Sequence, residues 1–385
     1  MRIAYFINGL HIPGGLERIV CDKANAICNI PGYEVHIVVK NTRTKASAAF
    51  PIDPKIHIGQ AGLPFDPGPG RSPLHPAATF VKWLKWRKKF RQSVAAYLTE
   101  HKIDIAIAAT HDAALPYFTN VCPIIYESHI HREYTAIDAP VASLRKYLTK
   151  RNVRRAAAIV SLTDTDARLW PEAQRMEVIP NFTNIRPAAP YNPDATRVMG
   201  AGRFHPQKGF DILVKAWQIV ARRFPEWTLD IYGDYSDTDP VYADILSQIN
   251  EAGLSHRIEL KGAEADMATA YADHSVFVLS SRYEGFGLVL LEAMTCGVPC
   301  VSFDCPSGPA DIIADGVDGL LVPFNGLPDK QRVELLADAL CRMIADRDMR
   351  VRLSAHAKEK AGTFVRDEII ARWTALFEDI IKNRE

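Results

Sequence analysis

The sequence predicts an α/β protein made of two Rossmann-like domains, each a doubly wound parallel sheet. Short apolar segments of strand length alternate with amphipathic helical segments in both halves of the chain, which is typical of parallel sheets covered by helices. The chain has 385 residues, more than one hydrophobic core usually holds. A segment with three prolines and no periodicity, Phe182–Pro193, lies between the halves and is expected to be the linker.

The first domain is predicted to cover residues 1–180. A loop through Gly14 and Gly15 leads into a helix that ends near Ala26, and further helices are expected at Val81–His101 and Arg145–Ala157. The expected strands are Ile3–Asn8, Tyr33–Val39, Lys55–Gly59, Ile103–Ala109, Pro123–Glu127, Ile159–Leu162 and Glu177–Ile179.

The second domain is predicted to cover residues 181–362. Its expected strands are Thr196–Ala201, Thr228–Tyr232, Ile258–Lys261, Val276–Leu279, Pro299–Phe303 and Gly319–Val322. Its expected helices are Phe210–Arg223, Ala243–Gly253, Ala265–Ala272 and a helix that begins at Leu288 and stops before Gly297. A last amphipathic helix, within 363–382, is expected to pack back on the first domain.

Composition narrows the class of protein. No apolar run approaches the roughly 18 residues of a membrane span, and the N-terminus lacks the features of a signal peptide. Seven cysteines in apolar segments suit buried free thiols, so we expect a cytoplasmic protein. Residues 1–180 carry 24 Lys and Arg against 15 Asp and Glu, a net +9, whereas the remainder carries −8. The basic first half suggests an anionic partner, and nothing in the sequence points to nucleic acid.

The Lys82–Arg91 segment of the long helix has two open interpretations. Trp83, Trp86 and Phe90 share one face with Val94 and Tyr97, whereas four lysines lie opposite. The helix either lies on anionic lipid with its aromatic side chains in the interface, or covers its own sheet with its lysines in water. Both hold in part if the aromatics pack inward and the lysines contact headgroups.

The stretch from Ser280 to Met294 is the strongest candidate site. A buried strand ends before it, a Gly-Phe-Gly turn follows Glu284, and the next helix carries Glu292. A tight turn that feeds a helix N-terminus presents free backbone amides, which suit a phosphate. The two carboxylates then suggest sugar hydroxyls, although ordinary solvated charges around a βα loop remain the alternative.

A second loop, Gly200–Phe210, follows the first strand of the second domain. Arg203 and Lys208 place two cations at the sheet edge where doubly wound sheets bind ligands, which suits a diphosphate. The loop matches neither a Walker A loop nor a GxGxxG fingerprint, which argues against an ATPase and a dehydrogenase. Two solvated loop cations are the alternative.

Three weaker candidates remain. Gly14-Gly15 precedes a helix and allows close approach of a ligand, and His129 follows a strand end, where a substrate can be reached. Asp237-Thr238-Asp239 has the letters of a metal-binding DxD site, but we interpret it as an exposed turn. Cys296, Cys300 and Cys305 lack a histidine at zinc-ligand spacing, so no metal site is expected there.

The motifs together resemble the retaining family-4 glycosyltransferases of GT-B fold. The resemblance rests on four motifs in order: Val-Ile-Pro-Asn at 178–181, Gly-Arg-Phe-x3-Lys-Gly at 202–209, the Glu284-x7-Glu292 pair and Asp-Gly-Val-Asp-Gly-Leu-Leu-Val-Pro at 315–323. It is firm over 178–323 and looser in the first domain. One departure is Asp311, where the family commonly has Glu. The surrounding Cys-Pro-x-Gly-Pro resembles bacterial surface-polysaccharide and lipopolysaccharide transferases that use UDP-hexoses.

The resemblance implies two domains that face each other across a cleft and bind a nucleotide-sugar donor. Arg203 and Lys208 would hold the diphosphate with the amides of Phe286, Gly287 and Leu288. The roles of the others would be Glu284 on the donor sugar, Glu292 on the ribose, Gly15 over the phosphates and His129 at the reaction centre. No residue is an evident nucleophile, so the reaction would proceed on one face of the sugar, without a cofactor or metal.

The expected activity is transfer of a hexose or N-acetylhexosamine, UDP-linked, to a lipid-linked or lipopolysaccharide glycan acceptor by a peripheral enzyme on the inner membrane face. One alternative is a soluble transferase of the same family that acts on a sugar phosphate or metabolite. Another is a nucleotide-sugar-binding protein without turnover, which the presence of Arg203, Lys208, Glu284 and Glu292 disfavours.

Overall fold

The structure is a computed structural model that describes residues 1–40, 48–60, 76–110, 121–135, 151, 153–236 and 238–383. Most of the helix predicted at Arg145–Ala157, and Asp237 of the predicted turn, lie outside these residues. The chain divides into two compact units, Met1–Pro180 with Asp367–Glu385, and Asn181–Arg366.

The first unit contains a parallel sheet whose order is β3-β2-β1-β4-β5-β6-β7. Its strands are β1 Arg2–Ile7, β2 Glu34–Val39, β3 His57–Gln60, β4 Ile105–Ala108, β5 Ile124–Ser128, β6 Ala158–Ser161 and β7 Met176–Val178. Its α-helices, in the part that the structure describes, are α1 Gly15–Ile27, α2 Pro76–Glu100 and α3 Asp164–Ala167, with a 3-10 turn at Arg132–Thr135.

The second unit contains a parallel sheet whose order is β10-β9-β8-β11-β12-β13. Its strands are β8 Arg197–Ala201, β9 Thr228–Tyr232, β10 Ile258–Gly262, β11 Val276–Leu279, β12 Cys300–Asp304 and β13 Gly319–Pro323. Around it lie a 3-10 turn at Pro206–Lys208 and the helices α4 Phe210–Arg223, α5 Pro240–Glu251, α6 Met267–Ala272, α7 Leu288–Thr295, α8 Pro309–Ile312, α9 Asp329–Ala345 and α10 Arg347–Ala361.

Both sheets have the two-way strand order of a doubly wound fold, so the predicted fold class is confirmed. The chain leaves β1 in one direction to β2 and β3 and later returns to β4 on the other side; β8 and β11 are related in the same way. In each sheet, the chain segments that follow the two central strands leave in opposite directions. The gap between these segments, at the carboxyl ends of the strands, is the crevice where such sheets bind ligands.

The last helix, α11 at Arg366–Lys382, packs on the first unit almost entirely. Its apolar face buries Trp373 and Phe377, and its polar residues contact the same unit through Arg175 with Asp379 and Tyr33 with Glu378. The stripe of large apolar residues that predicted the helix is the face that it buries.

The structure corrects one interpretation of α2. Phe90 and Val94 are fully buried in the core of the first unit, and the Trp86 ring stacks on Phe90 with 5.1 Å between the ring centroids. The interpretation in which these aromatic side chains enter lipid is therefore wrong for Trp86 and Phe90. The four lysines of the opposite face, Lys82, Lys85, Lys88 and Lys89, are exposed.

Two further expectations have structural outcomes. All seven cysteines are buried and free, and burial raises the pKa of the Cys21 and Cys296 thiols to about 12, so neither is a reactive thiolate. Asp239, the last residue of the predicted turn, caps α5 by accepting a 2.8 Å hydrogen bond from the Val241 amide. Among the described residues, every helix is too short or too polar to cross a bilayer.

Candidate active site

The candidate site lies where the chain leaves β8 and β11, the two central strands of the second sheet. These strands pair in parallel, with Val198 opposite Val276 and Gly200 opposite Val278. The loops that follow them, 202–209 and 280–287, therefore emerge side by side at the carboxyl edge. The strand order thus brings together two loops that are about 80 residues apart in the sequence.

Hydrogen bonds join the two loops along their length. The Ser280 hydroxyl donates to the Lys208 carbonyl at 2.8 Å, and the Arg282 amide donates to the Gln207 carbonyl at 2.7 Å. The Gln207 side chain in turn donates to the Tyr283 carbonyl at 2.9 Å. Gly209, at φ +63°, allows the tight approach, because a Cβ there would lie 2.1 Å from the Ser280 carbonyl oxygen. These hydrogen bonds join the two loops into one unit.

Arg282 anchors this unit to helix α4. Its guanidinium makes two hydrogen bonds to the Asp211 carboxylate, at 2.8 and 2.7 Å, and a third to the Pro206 carbonyl at 2.8 Å. Burial alone would raise the pKa of Asp211, but the Arg282 hydrogen bonds and charge lower it, so the pair stays ionised at neutral pH. Arg282 has a positioning role that its place in the sequence motif did not indicate.

Lys208 and Glu284 meet between the loops. Lys208 Nζ lies 2.7 Å from Glu284 Oε1, with the Lys208 side chain 15% exposed and that of Glu284 8% exposed. Gly202 lies under the lysine stem, since a Cβ there would be 3.0 Å from Lys208 Cδ and Cε. The Ser307 hydroxyl donates a 2.7 Å hydrogen bond to the Glu284 carbonyl. The predicted phosphate ligand and the predicted sugar ligand are thus adjacent and fixed.

The helix that follows Glu284 provides the predicted backbone amides. Gly287 precedes α7 in the left-handed region at φ +92°. In the described residues no backbone carbonyl accepts from the amides of Phe286, Gly287 or Leu288, as expected for a helix start. Glu292, four residues into α7, is 2% exposed and accepts a 3.2 Å hydrogen bond from the Tyr271 hydroxyl. Tyr271 orients Glu292, a contact that the sequence did not predict.

The remaining predicted residue of this unit, Arg203, is exposed at the start of the 202–209 loop. Asp311, the departure from the family pattern, accepts a hydrogen bond from the Gly308 amide at 3.2 Å at the start of α8. The phosphate role of Arg203 stays a prediction.

In the first unit, Gly15 and His129 occupy the expected places. Gly15 is the exposed first residue of α1, with no atom within 4 Å of the position its Cβ would take, so its backbone is open to a ligand. His129 directly follows β5, and its Nε2 lies 3.2 Å from Glu127 Oε2.

A buried ion pair lies behind His129. Lys23 of α1 forms an ion pair with the other Glu127 oxygen, and both side chains are almost fully buried. The Lys23 ammonium lies 4.7 Å from the centre of the Trp373 ring of α11. Burial alone would raise the pKa of Glu127, but its interactions with His129 and Lys23 lower it to about 2. Burial also lowers the pKa of Lys23, against the opposing effect of Glu127.

The sequence did carry a signal for this pair. Lys23 interrupts the apolar face that Ile19, Val20, Ala24 and Ile27 form on α1, and Glu127 ends a strand that is otherwise apolar. A charge on an apolar face needs a partner when buried, yet the sequence does not say which residue it is.

The two joined loops lie in a part of the chain that matches a known protein family. Residues 195–346, which include both joined loops, match the family model described as "Glycosyl transferases group 1". The chain is 25% identical over 387 residues to an uncharacterized glycosyltransferase of Haemophilus influenzae, covering 97% of this chain and 99% of the relative. It is 24% identical over 382 residues to the amylovoran biosynthesis glycosyltransferase AmsD of Erwinia amylovora, covering 97% and 98%.

A third relative is matched only in part. The chain is 32% identical over 196 residues to the GtfA subunit of the UDP-N-acetylglucosamine–peptide N-acetylglucosaminyltransferase of Streptococcus gordonii. The match covers 50% of this chain and 36% of that subunit, so the chain spans about a third of its length.

Solved structures show the same fold. Sucrose-phosphate synthase from Thermosynechococcus elongatus superposes with a TM-score of 0.79 at 20% identity and 100% coverage of both chains. The lipopolysaccharide outer core galactosyltransferase WaaB superposes with a TM-score of 0.68, also at 20% identity and 100% coverage of both chains. The protein therefore has the GT-B fold. More specifically, it carries a glycosyl transferases group 1 domain, and its relatives include enzymes of polysaccharide biosynthesis.

Proposed function

We propose that the protein is a retaining transferase that moves a hexose or N-acetylhexosamine from a UDP-sugar to a lipid-linked or lipopolysaccharide glycan acceptor at the membrane surface. The observation that carries the proposal is the Lys208–Glu284 pair, held between two joined loops beside the open amides of α7. A cation, a carboxylate and free amides at one sheet edge match a ligand that has both phosphates and sugar hydroxyls.

The donor half of the site follows from the charge that develops in the reaction. Cleavage of the sugar–phosphate bond leaves negative charge on the nucleoside diphosphate. Lys208, Arg203 and the amides of Phe286, Gly287 and Leu288 are the donors for that charge and stabilise the transition state. Because these donors belong to the chain itself, we expect no metal and no cofactor.

The remaining proposed roles belong to the two carboxylates and to two residues of the first unit. Glu284 accepts hydrogen bonds from the donor sugar and Glu292 from the ribose, while Gly15 contacts the phosphates and His129 the sugar at the reacting carbon. Double displacement needs a carboxylate nucleophile under the anomeric carbon. Glu284 is already bound to Lys208, so we favour attack on one face of the sugar, with the leaving phosphate assisting deprotonation of the acceptor.

The names of relatives support the choice of donor and acceptor. The GtfA subunit belongs to an enzyme that uses UDP-N-acetylglucosamine, and a further relative in Staphylococcus aureus is a poly(ribitol-phosphate) alpha-N-acetylglucosaminyltransferase. AmsD acts in amylovoran biosynthesis. These names favour a UDP-linked hexose or N-acetylhexosamine and a cell-envelope acceptor.

A donor hydrolysis screen tests the proposal. We expect the protein to release nucleoside diphosphate from at least one UDP-hexose or UDP-N-acetylhexosamine, and faster than from GDP- and ADP-sugars with the same sugar. Coupled detection of free UDP, GDP and ADP measures the rates. A preference for GDP- or ADP-sugars would contradict the UDP assignment, and binding without release by any donor, even with acceptor extracts, would favour the non-catalytic alternative.

Vesicle binding separates the membrane-bound acceptor from a small soluble one. Because the lysine face of α2 is exposed, anionic vesicles should sediment the protein at low salt at least tenfold more than neutral vesicles. Each lysine near an anionic surface contributes about 1 kcal/mol. Replacing Lys82, Lys85, Lys88 and Lys89 together with glutamine should therefore abolish the difference. Equal sedimentation of the wild type with both vesicle types would favour the soluble alternative.

A further inference from the structure

Three metal-ligand side chains meet at the edge of the first sheet, and none of them has a role in the proposed transfer. Glu34 and His36 are two residues apart on β2, so they lie on the same face of the sheet. His57 is the parallel partner of His36 on β3, the edge strand. The strand pairing thus places one carboxylate and two imidazoles together from segments about 20 residues apart.

The separations between the ligand atoms approach those of a metal site. Glu34 Oε1 lies 3.2 Å from His36 Nε2 and 3.6 Å from His57 Nε2, and the three ligand atoms all lie within 4.8 Å of one another. In tetrahedral zinc sites, metal–ligand distances near 2 Å separate the ligand atoms by about 3.3 Å. Two separations already fit. The third separation is between the nitrogens of His36 and His57. A small rotation of His57, whose side chain is 60% exposed, brings it into the same range.

Contacts outside the cluster orient two of the ligands. The Tyr97 hydroxyl lies 2.9 Å from His36 Nδ1, and Arg2 Nε donates to Glu34 Oε2 at 2.8 Å, which leaves Oε1 turned toward the histidines. Metal-bound histidines usually donate their second ring N–H to such a partner. Gly59 makes the Tyr97 contact possible, because a Cβ there would lie 2.2 Å from the Tyr97 hydroxyl oxygen.

The His36 ring lies against two further histidine rings. The His36 ring centroid lies 4.8 Å from that of His57 and 5.2 Å from that of His101.

We propose that Glu34, His36 and His57 bind a divalent transition metal of the zinc type, with water at the remaining position. Two imidazoles and a carboxylate are a ligand set that zinc accepts, and the exposed side of His57 and Glu34 gives water access. The bound metal links the edge strand β3 to β2. It has no part in sugar transfer.

The test uses untagged protein, stripped with EDTA and dialysed. Calorimetric titration with Zn²⁺ should show one site per chain, and Co²⁺ should give visible absorption bands. His57→Ala should weaken zinc binding at least 100-fold, and Tyr97→Phe about 10–100-fold, as loss of an outer partner does. His256→Ala, which removes an exposed histidine of the second unit, is the matched control and should bind zinc like the wild type.

Each outcome decides the proposal. Zinc should raise the thermal midpoint of the wild type but not that of His57→Ala, whose folding is checked by circular dichroism without metal. Equal zinc affinity in the wild type and His57→Ala, or no saturable binding by the wild type, overturns the proposal. Sugar transfer by the stripped protein should equal that of the zinc-loaded protein, so this result is independent of the donor screen.

Discussion

Replacing Lys208 with alanine should lower kcat/KM for sugar transfer by about 10²–10³-fold or more, because it removes a fixed cation from the site where the leaving diphosphate gains charge. Glu284→Ala should cause a comparable loss, since it removes the acceptor assigned to the donor sugar. Steady-state rates at saturating acceptor measure both. Lys215→Ala, which removes an exposed lysine of α4, is the matched control and should keep wild-type activity.

Because Lys208 and Glu284 form an ion pair, each single variant is also expected to lose stability. Each one leaves the other charge largely buried without its partner, and removing one member of a buried pair costs about 3–5 kcal/mol. The double variant Lys208→Met/Glu284→Gln removes both charges and should recover much of that stability, as urea unfolding would show. It should stay inactive. Recovery of transfer in the double variant would mean that the single variants fail through folding and that neither residue acts on the substrate.

The fold could be predicted where the pattern of apolar residues is strong. Thr228–Tyr232, Val276–Leu279 and Phe210–Arg223 have the bounds that their sequences predict, since each combines an apolar core with a clear stop signal. Residues 329–361 carry no prediction, although they form α9 and α10. The buried face of helix α10 has only two large apolar residues, Met349 and Leu353, and it continues with alanines and includes the charged Arg350, so its apolar stripe is weak in the sequence.

The sequence indicates candidate residues for the site but not the contacts between them. Lys208 and Glu284 were expected to bind different parts of the donor, and nothing local in the sequence shows that they pair across 76 residues. The pairing arises because β8 and β11 are neighbours in the sheet, which depends on the order of all six strands. The pairs Arg282–Asp211 and Lys23–Glu127 also join residues that are distant in the sequence, so local patterns do not predict them either.

Replacing Lys23 with alanine should lower the free energy of unfolding by about 3–5 kcal/mol, because it leaves the Glu127 carboxylate fully buried with His129 as its remaining partner. It also removes the cation that contacts the Trp373 ring, so it loosens the packing of α11 on α1. The double variant Lys23→Met/Glu127→Leu removes both charges at similar volume and should be far less destabilised. Urea unfolding measures both, and a cost below about 1 kcal/mol for Lys23→Ala would contradict this account.

Glu127 can act by positioning His129 for transfer or only by stabilising the fold. Measurements of activity and of stability in acid distinguish these two roles. If it positions His129 for transfer, the double variant stays folded but loses kcat, with a changed pH dependence, since a carboxylate 3.2 Å from His129 Nε2 is gone. Normal kcat would limit the pair to stability. The folded-state pKa of Glu127, about 2, lies below the ordinary value of 4.5, so its contribution is complete above about pH 4.5 and is lost as pH falls toward 2. Between these values, unfolding free energy should therefore fall more steeply with acid in the wild type than in the double variant.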